Sequence, residues 1–331
     1  MSPDRAPERR RRRGRAEEPM VPEAEFTSYY GRPIVRPAPW KAEIPAYMFF
    51  GGLAAGSSLL GAGADLTGRP ALRRAGRLAA LGALGASMVA LVHDLGRPER
   101  FLNMMRVAKP TSPMSIGTWI LAAYGPGAGL AGAAELARLL PGGGGRLGRL
   151  TGWLGRPAGI AAAAVAPGVA SYTGVLLADT ATPAWHSAYR ELPAVFVSSA
   201  AAASGGLGMI CAPVTQAAPA RRLAVAGAAA ELVLEHRMEQ SMGLSAETMH
   251  TGKAGRLMTA ARWLTAAGGL GALLLGRRSR PAAVGSGIAL MAGSACTRFG
   301  VFEAGQASAR DPKYTVVPQR ERLDRRNAPN P

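Results

Sequence analysis

Cysteine and histidine are scarce in this chain, and their scarcity excludes the common metal cofactors. Of 331 residues, 2 are cysteines and 4 are histidines. Cys211 and Cys296 lie far apart in separate apolar segments without a C-x-x-C pattern, so we expect neither an iron–sulfur cluster nor a zinc site held by this chain. Both cysteines are instead predicted to lie in the packed core.

The positions of the histidines argue against haem. All four, at positions 93, 186, 236 and 250, fall at or beyond the ends of predicted helices. A haem held within a membrane bundle needs two axial ligands at membrane depth. The chain is therefore predicted to carry no redox centre of its own.

Charge is also sparse, and it is clustered. Only 18% of residues are charged and 48% are hydrophobic. A helix that spans a bilayer needs roughly 20 apolar residues, and four of the five uncharged stretches reach that length. These stretches are Ile44–Ala64, Pro110–Ala134, Pro157–Ala178, Leu192–Ala220 and Pro281–Thr297. Three further segments, 75–92, 221–236 and 255–276, are apolar apart from arginines near their ends or, in 221–236, two glutamates.

Together these segments predict an all-α integral membrane protein with about eight transmembrane helices. The alternative is a soluble, alanine-rich helical protein. Soluble helices rarely continue for more than two turns without a charge on the solvent face, which disfavours that alternative.

The net charge of +18 comes largely from the two ends of the chain. RRRRRGR near the start and RERLDRR near the end lack interleaved aromatic residues and any nucleic-acid-binding module, so we expect no nucleic acid partner. Both ends are predicted to be disordered and to contact a partner or lipid headgroups. The chain thus divides into a basic, proline-rich tail (1–41), a polytopic membrane domain (42–303) and a polar tail (304–331).

Eight spans place both chain ends on one side of the membrane, which we name the terminal face. The segment HDLGRPERF (93–101) and the loops around Trp185 and His250 share this face. Lysine and arginine are more frequent in the loops of the opposite face, whereas the basic tails favour the terminal face, so the positive-inside rule leaves the orientation open.

Several polar residues on the terminal face are candidates for binding a ligand. The first helix opens with WKAEIPAYMFF, which brings Glu43 and Tyr47 to the interface, although an aromatic belt would explain Trp40 and Tyr47 without any function. In the fourth predicted helix, Tyr172 lies about two turns before Asp179. A tyrosine hydroxyl that faces the bundle interior can hydrogen-bond a carbonyl oxygen of a bound ligand.

Carboxylates at membrane depth are costly and are therefore functional candidates. Glu231, Glu235 and Glu239 follow at four-residue spacing, a row that suits proton or ion relay but also suits a helix leaving the membrane. Glu231 is the better intramembrane candidate, and Glu135 and Glu303 are predicted to be interfacial. A secondary transporter or ion-translocating protein is thus an alternative, although we find no convincing inverted repeat with paired broken helices.

Four ordered motifs within residues 38–210 resemble the NrfD/PsrC family of membrane subunits of polysulfide reductase-type complexes. They are IPAYMFFGGLAAGS, HDLGRPERFLNMM, PTSPMSIGTWIL, and YTGVLL followed by TPAW and ELPAVFVSSA. The resemblance implies two four-helix bundles in the cell membrane, with a quinone site near the face where an iron–sulfur subunit docks. It also implies that this ferredoxin-like subunit passes electrons between the quinone, menaquinone or ubiquinone, and a molybdopterin catalytic subunit.

By this resemblance, Tyr172 matches a tyrosine that contacts quinone, and Tyr47 stands where some members place a histidine. Ile44 replaces an asparagine of those members, so Glu43 is a candidate partner for the quinone headgroup.

We therefore expect Tyr172, Tyr47 and Arg97 to contact the quinone or quinol, and Asp94, Glu43 or Asp179 to exchange protons with it. A purely structural anchor would keep the same partner subunits without binding quinone.

Overall fold

The computed structural model describes residues 33–139 and 146–327, which fold into helices without a β-strand within those ranges. The α-helices are α1 (Glu43–Leu66), α2 (Pro70–Asp94), α3 (Pro113–Leu139), α4 (Arg146–Ala178), α5 (Pro183–Ser187), α6 (Leu192–Cys211), α7 (Ala218–Ser241), α8 (Gly252–Leu274), α9 (Arg280–Arg310) and α10 (Lys313–Asn327). Two 3-10 helices, Pro98–Met105 and Gly243–Met249, follow α2 and α7.

The eight long helices form two four-helix bundles, as predicted. In the first bundle α1 packs against α2 and α4, and α3 packs against α2 and α4. In the second bundle the pairs α6–α7, α7–α8, α8–α9 and α6–α9 close a similar ring. Short connections make successive helices antiparallel, so the starts of α1, α3, α6 and α8 lie on the terminal face.

Five helical segments of the described chain are long and apolar enough to cross a bilayer: α1, α2, α6, α8 and residues Gly152–Ala178 of α4. In α7 and α9 charged residues, among them Glu231 and Arg298, lower the hydropathy, and α3 is rich in glycine. These three helices complete the bundles. The chain is a multi-pass membrane protein.

Helix α6 joins the two bundles, because it packs against α1 and α4 on one side and against α7 and α9 on the other. Its glycines allow backbones to meet. A Cβ on Gly205 would lie 2.5 Å from the Ala224 nitrogen of α7, and one on Gly206 would lie 2.8 Å from the Gly287 oxygen of α9. In lipid, such small faces favour helix association because apolar burial no longer drives it.

A cluster of ion pairs ties the first bundle together on the face opposite the terminal face. The Glu135 Oε1 atom accepts hydrogen bonds from Arg73 Nε at 2.9 Å and Arg77 Nη1 at 3.0 Å. Arg77 also donates to Asp65 Oδ2 at 3.0 Å. Glu135, predicted to be interfacial, lies at this face with its side chain fully buried in the protein, because α3 turns it toward the arginines of α2.

The C-terminal part of the chain differs from the expected disordered tail. Helix α9 continues to Arg310, since small residues such as Gly305 and Ser308 pack on α5, where the Ser308 hydroxyl accepts a hydrogen bond from the Ala184 nitrogen at 3.1 Å.

RERLDRR lies within α10, which is anchored where Lys313 Nζ donates to both oxygens of Glu247 at 3.0 and 2.9 Å. This carboxylate raises the pKa of the Lys313 ammonium group. Residues 1–32 of the predicted N-terminal tail lie outside the described residues.

The prediction that both cysteines lie in the core is also wrong. Cys211 is exposed and Cys296 is half-buried. Cys211 is the last residue of α6, where the helix leaves the contact with its neighbours. Cys296 lies in α9 between residues that pack inward.

Overpacking the contact between α6 and α7 should destabilise the protein. A Cβ on Gly227 of α7 would lie 2.5 Å from the Ala202 nitrogen and 2.8 Å from the Ser198 oxygen. Because backbone atoms cannot move aside easily, Gly227→Val should cost about 1–3 kcal/mol, seen as a lower melting temperature in detergent. Gly82→Val is the control, since a Cβ on Gly82 has no neighbour within 4 Å among the described residues. Equal melting temperatures for the two variants would contradict the tight helix contact.

Removing the buried carboxylate of Glu135 should destabilise the first bundle more strongly. Glu135→Gln removes the buried one of the two carboxylates that Arg73 and Arg77 share, which leaves only Asp65, and breaking a buried ion pair costs roughly 3–5 kcal/mol. Glu321→Gln is the control, because Glu321 is exposed and only 4.0 Å from Arg325 within α10. Thermal unfolding of both variants in the same detergent tests this, and an unchanged transition for Glu135→Gln would refute the structural role of the cluster.

Candidate functional site

Two tyrosines predicted to share a site lie together near the terminal face. The rings of Tyr47 on α1 and Tyr172 on α4 have centroids 6.5 Å apart and planes at 70°. Both side chains are buried, with 5% and 7% exposed. Gly117 of α3 makes room for the second ring, since a Cβ there would lie 2.5 Å from Tyr172 Cδ2 and Cε2. The packing of α1, α3 and α4 therefore sets the position of this pair.

The hydroxyls of Tyr47 and Tyr172 have no hydrogen-bond partner within the part of the chain that the structure describes. A third tyrosine of the same bundle behaves differently: the Tyr124 hydroxyl forms a 2.8 Å hydrogen bond with Ser58. The pair near the terminal face therefore presents two hydroxyls to which a ligand can bind.

Two of the predicted carboxylates lie beside this pair, where the start of α1 meets the end of α2. Glu43 lies one helical turn before Tyr47, and its Oε1 atom is 3.2 Å from His93 Nδ1. The second oxygen of Glu43 is buried without a partner. Asp94 lies near the Lys41 backbone nitrogen and faces Glu43. The structure thus brings Glu43 and Asp94 together, 51 positions apart in sequence.

His93 is a neighbour that sequence reasoning missed as a site residue. It is largely exposed, with 75% of its side chain accessible, whereas Glu43 is 28% exposed. The contact therefore lies at the boundary between the bundle and water. The sequence signal that could have identified His93 is its position directly before Asp94 in HDLGRPERF.

Arg97 and Asp179 do not contact this group. Arg97 is exposed in the turn between α2 and the first 3-10 helix. Asp179 is exposed just after α4 and lines a separate cavity of about 370 Å³ with His186 and Tyr189. Neither Tyr47 nor Tyr172 lines that cavity.

An apolar cavity of about 290 Å³ lies between α2, α3 and the first 3-10 helix. Its lining includes Met88, Leu91, Phe101, Met104 and Leu121. Leu91 lies one turn before Asp94 on α2, but neither carboxylate and neither tyrosine of the pair lines this cavity. Such a surface suits an apolar ligand whose polar end lies near the terminal face.

A second buried polar group lies in the second bundle. Glu231 is buried, with 1% exposed, in agreement with the preference for it as an intramembrane carboxylate. Arg298 of α9 was not singled out from the sequence, yet it is fully buried. Its guanidinium lies 3.7 Å from the centre of the Phe196 ring and donates to the Phe196 carbonyl oxygen at 2.6 Å. The sequence signal that could have identified Arg298 is its position as a single arginine in the middle of a largely apolar helix.

Within the described residues, no group of three or more His, Cys, Asp or Glu side chains is arranged to hold a metal ion.

Comparison with known proteins identifies the family. The family model described as Polysulphide reductase, NrfD, matches residues 34–309, which is most of the chain and includes the second bundle. No curated protein matches the chain. Members of this family are multi-helix membrane subunits of oxidoreductase complexes and are associated in general with the quinone pool. The two bundles and the motifs of the first bundle agree with this match, and the chain belongs to the polysulphide reductase NrfD family.

Proposed function

We propose that this chain binds quinone or quinol beside Tyr47 and Tyr172 and exchanges electrons with an iron–sulfur subunit at the terminal face. The observation that carries the proposal is the buried tyrosine pair, with unpartnered hydroxyls, next to Glu43 and Asp94. A quinone headgroup needs a few polar groups in an apolar cleft near water. This group of residues has that composition and position.

The two tyrosines have the chemistry to orient a quinone. A phenolic hydroxyl donates a hydrogen bond to a carbonyl oxygen of the headgroup, and Tyr172 is well placed for this because Gly117 holds its ring. The apolar cavity near Leu91 provides a surface for the hydrocarbon tail.

Glu43 and Asp94 are the proposed proton acceptors when quinol is oxidised. Oxidation of one quinol releases two electrons and two protons, so the electrons pass to the partner subunit and the protons pass to carboxylates. Glu43 has one oxygen without a partner and another beside the exposed His93. A proton taken up by Glu43 therefore has a direct route through His93 to water. Asp179, which lines another cavity, is a less direct proton acceptor.

The terminal face also supports the proposed partners, an iron–sulfur ferredoxin-like subunit and a molybdopterin catalytic subunit. Helix α10 lies at this face and exposes a basic surface formed by Arg320, Arg322, Arg325 and Arg326. A positively charged surface steers an acidic partner toward docking. Exposed Arg97 lies on the same face and is proposed to contact this partner or the quinone. We place the complex in the cell membrane, with menaquinone or ubiquinone as the ligand.

Conservative variants of Tyr172 and Asp94 test the quinone site. In the assembled complex, Tyr172→Phe should weaken binding of a quinone analogue by about fivefold, since one hydrogen bond is worth roughly 1 kcal/mol. Asp94→Asn should lower quinol-linked turnover more than binding, because it removes a proton acceptor but keeps the shape. Titration with the analogue and quinol oxidation rates measure the two effects.

Tyr124→Phe is the matched control, because Tyr124 is a buried tyrosine of the same bundle whose hydroxyl already has a partner. It should leave binding and turnover unchanged. Full activity in both Tyr172→Phe and Asp94→Asn would contradict the quinone site. If the complex also retained its partners but showed no response to quinone analogues, the structural anchor would be the better description.

Purification in mild detergent tests the partners separately. The proposal predicts that the chain brings down subunits containing iron, sulfur and molybdenum, measured by metal analysis and mass spectrometry. A chain that purifies without any such subunit would favour the ion-translocating alternative instead.

A further inference from the structure

A row of three carboxylates runs along α7 from the terminal face into the second bundle. Glu239, Glu235 and Glu231 are spaced one turn apart, so neighbouring side chains lie on the same side of the helix within about 5–6 Å at Cβ. Burial increases along the row: the side chain of Glu239 is 14% exposed, whereas Glu235 and Glu231 are buried. The row therefore connects the water boundary with the interior of the bundle.

The outer end of the row opens into a cavity of about 390 Å³ between α7 and α8. Glu235, Glu239, His236 and Arg262 line it. Arg262 Nε donates to Glu235 Oε1 at 2.7 Å, and another guanidinium nitrogen binds Glu239. His250, half exposed at the terminal face, has its Nε2 atom 3.7 Å from Glu239 Oε2. Ionisable groups thus line a route from the terminal face to Glu235.

The inner end of the row is a carboxylate with an unused oxygen. The Thr297 hydroxyl donates to Glu231 Oε1 at 2.7 Å, and Glu231 Oε2 is buried without a partner. Arg298, on the neighbouring helix α9, has two buried nitrogens, Nε and Nη1, that are also unpartnered. Ser199 of α6 lies beside the same carboxylate. The charged groups that face Glu231 are thus Arg298 on α9 and Glu235 on α7.

This arrangement differs from a purely structural ion pair. In the cluster around Glu135, carboxylate and guanidinium atoms bond directly at about 3 Å. The Arg298 guanidinium instead binds the Phe196 carbonyl and ring, so it influences Glu231 through space without forming a direct pair. An unpaired ionised carboxylate in such a setting is costly, and taking up a proton relieves that cost.

We propose that Glu231 is a buried proton-binding site, reached from water on the terminal face through Glu239 and Glu235. A proton from water enters the cavity, is held by Glu239 or Glu235, and moves to the unpartnered oxygen of Glu231, which becomes neutral. The proton leaves by the same residues in reverse. Arg298 balances the charge when Glu231 is ionised. This proton path lies in the second bundle, apart from Tyr172, and does not require quinone binding.

Infrared difference spectroscopy on the purified complex in lipid tests the path. The carboxyl C=O band of protonated Glu231 should titrate with pH and should disappear in Glu231→Gln. After transfer from water to deuterium oxide, its exchange should be slowed at least about tenfold in Glu235→Gln, corresponding to about 1.4 kcal/mol of added barrier. Glu303→Gln is the matched control, because Glu303 is a partly exposed carboxylate of the same face that binds Lys253 outside the row.

Two results would overturn the proposal. One is a spectrum with no titrating carboxyl band that Glu231→Gln removes. The other is an exchange rate in Glu235→Gln equal to that of wild type and Glu303→Gln. If Glu231→Gln fails to assemble, Thr297→Val replaces it: loss of the hydrogen bond to Glu231 should shift the frequency of the same band, and an unshifted band would count against the assignment. Quinone binding by these variants should stay unchanged, which separates this test from that of the tyrosine pair.

Discussion

The close backbone contact between α6 and its neighbours is the constraint on which both bundles depend. Glycines at positions 205 and 206 let α6 meet α7 and α9, and Gly52 of α1 lies against Ala200 of α6 and the Arg298 guanidinium. In lipid, no difference in apolar burial holds helices together, so close packing and interhelical polar contacts must do so. Because α6 packs against helices of both bundles, this packing also sets how the candidate quinone site and the buried Arg298 lie relative to α1.

The two faces of the first bundle use charge differently. On the opposite face, Glu135, Arg73 and Arg77 bond to one another and join the helices, and removing a member should mainly affect stability. On the terminal face, Glu43 pairs with the exposed His93 and with no arginine or lysine among the described residues. A carboxylate without a directly bonded arginine or lysine is costly in a membrane protein unless a ligand or proton uses it. The proposed chemistry therefore belongs to the terminal face.

Helix α1 links the two proposed sites. Its first turns carry Glu43 and Tyr47, and Gly52 further along lies against Arg298, which in turn faces Glu231. A proton on Glu231 would change the field around Arg298 and thus the surroundings of α1. The tyrosine pair and the carboxylate row are nevertheless on different bundles, so each can be altered by substitution without removing the other.

Local pattern was enough to predict the helices and to single out several residues of the candidate site. Five uncharged segments and three largely apolar ones predicted the eight long helices, because spanning a bilayer requires length and apolarity, which are read directly from the chain. The four-residue spacing of Glu43 and Tyr47, and of the glutamates of α7, follows from helix periodicity alone. The family resemblance predicted the two bundles and singled out Tyr172, which indeed lies against Tyr47.

Tertiary packing decided which polar groups meet. The contact between Glu43 and His93, the ion pairs of Glu135 and the burial of Arg298 each join residues of different helices, and their geometry depends on how those helices rotate and approach. Spacing along one helix carries no such information. The exposure of Cys211 has the same cause, since an apolar segment does not reveal which of its faces meets a neighbour. The sequence by itself determined the spans and the inventory of polar side chains; the packing of α1, α2, α6 and α9 decided which of them are paired and which remain available for chemistry.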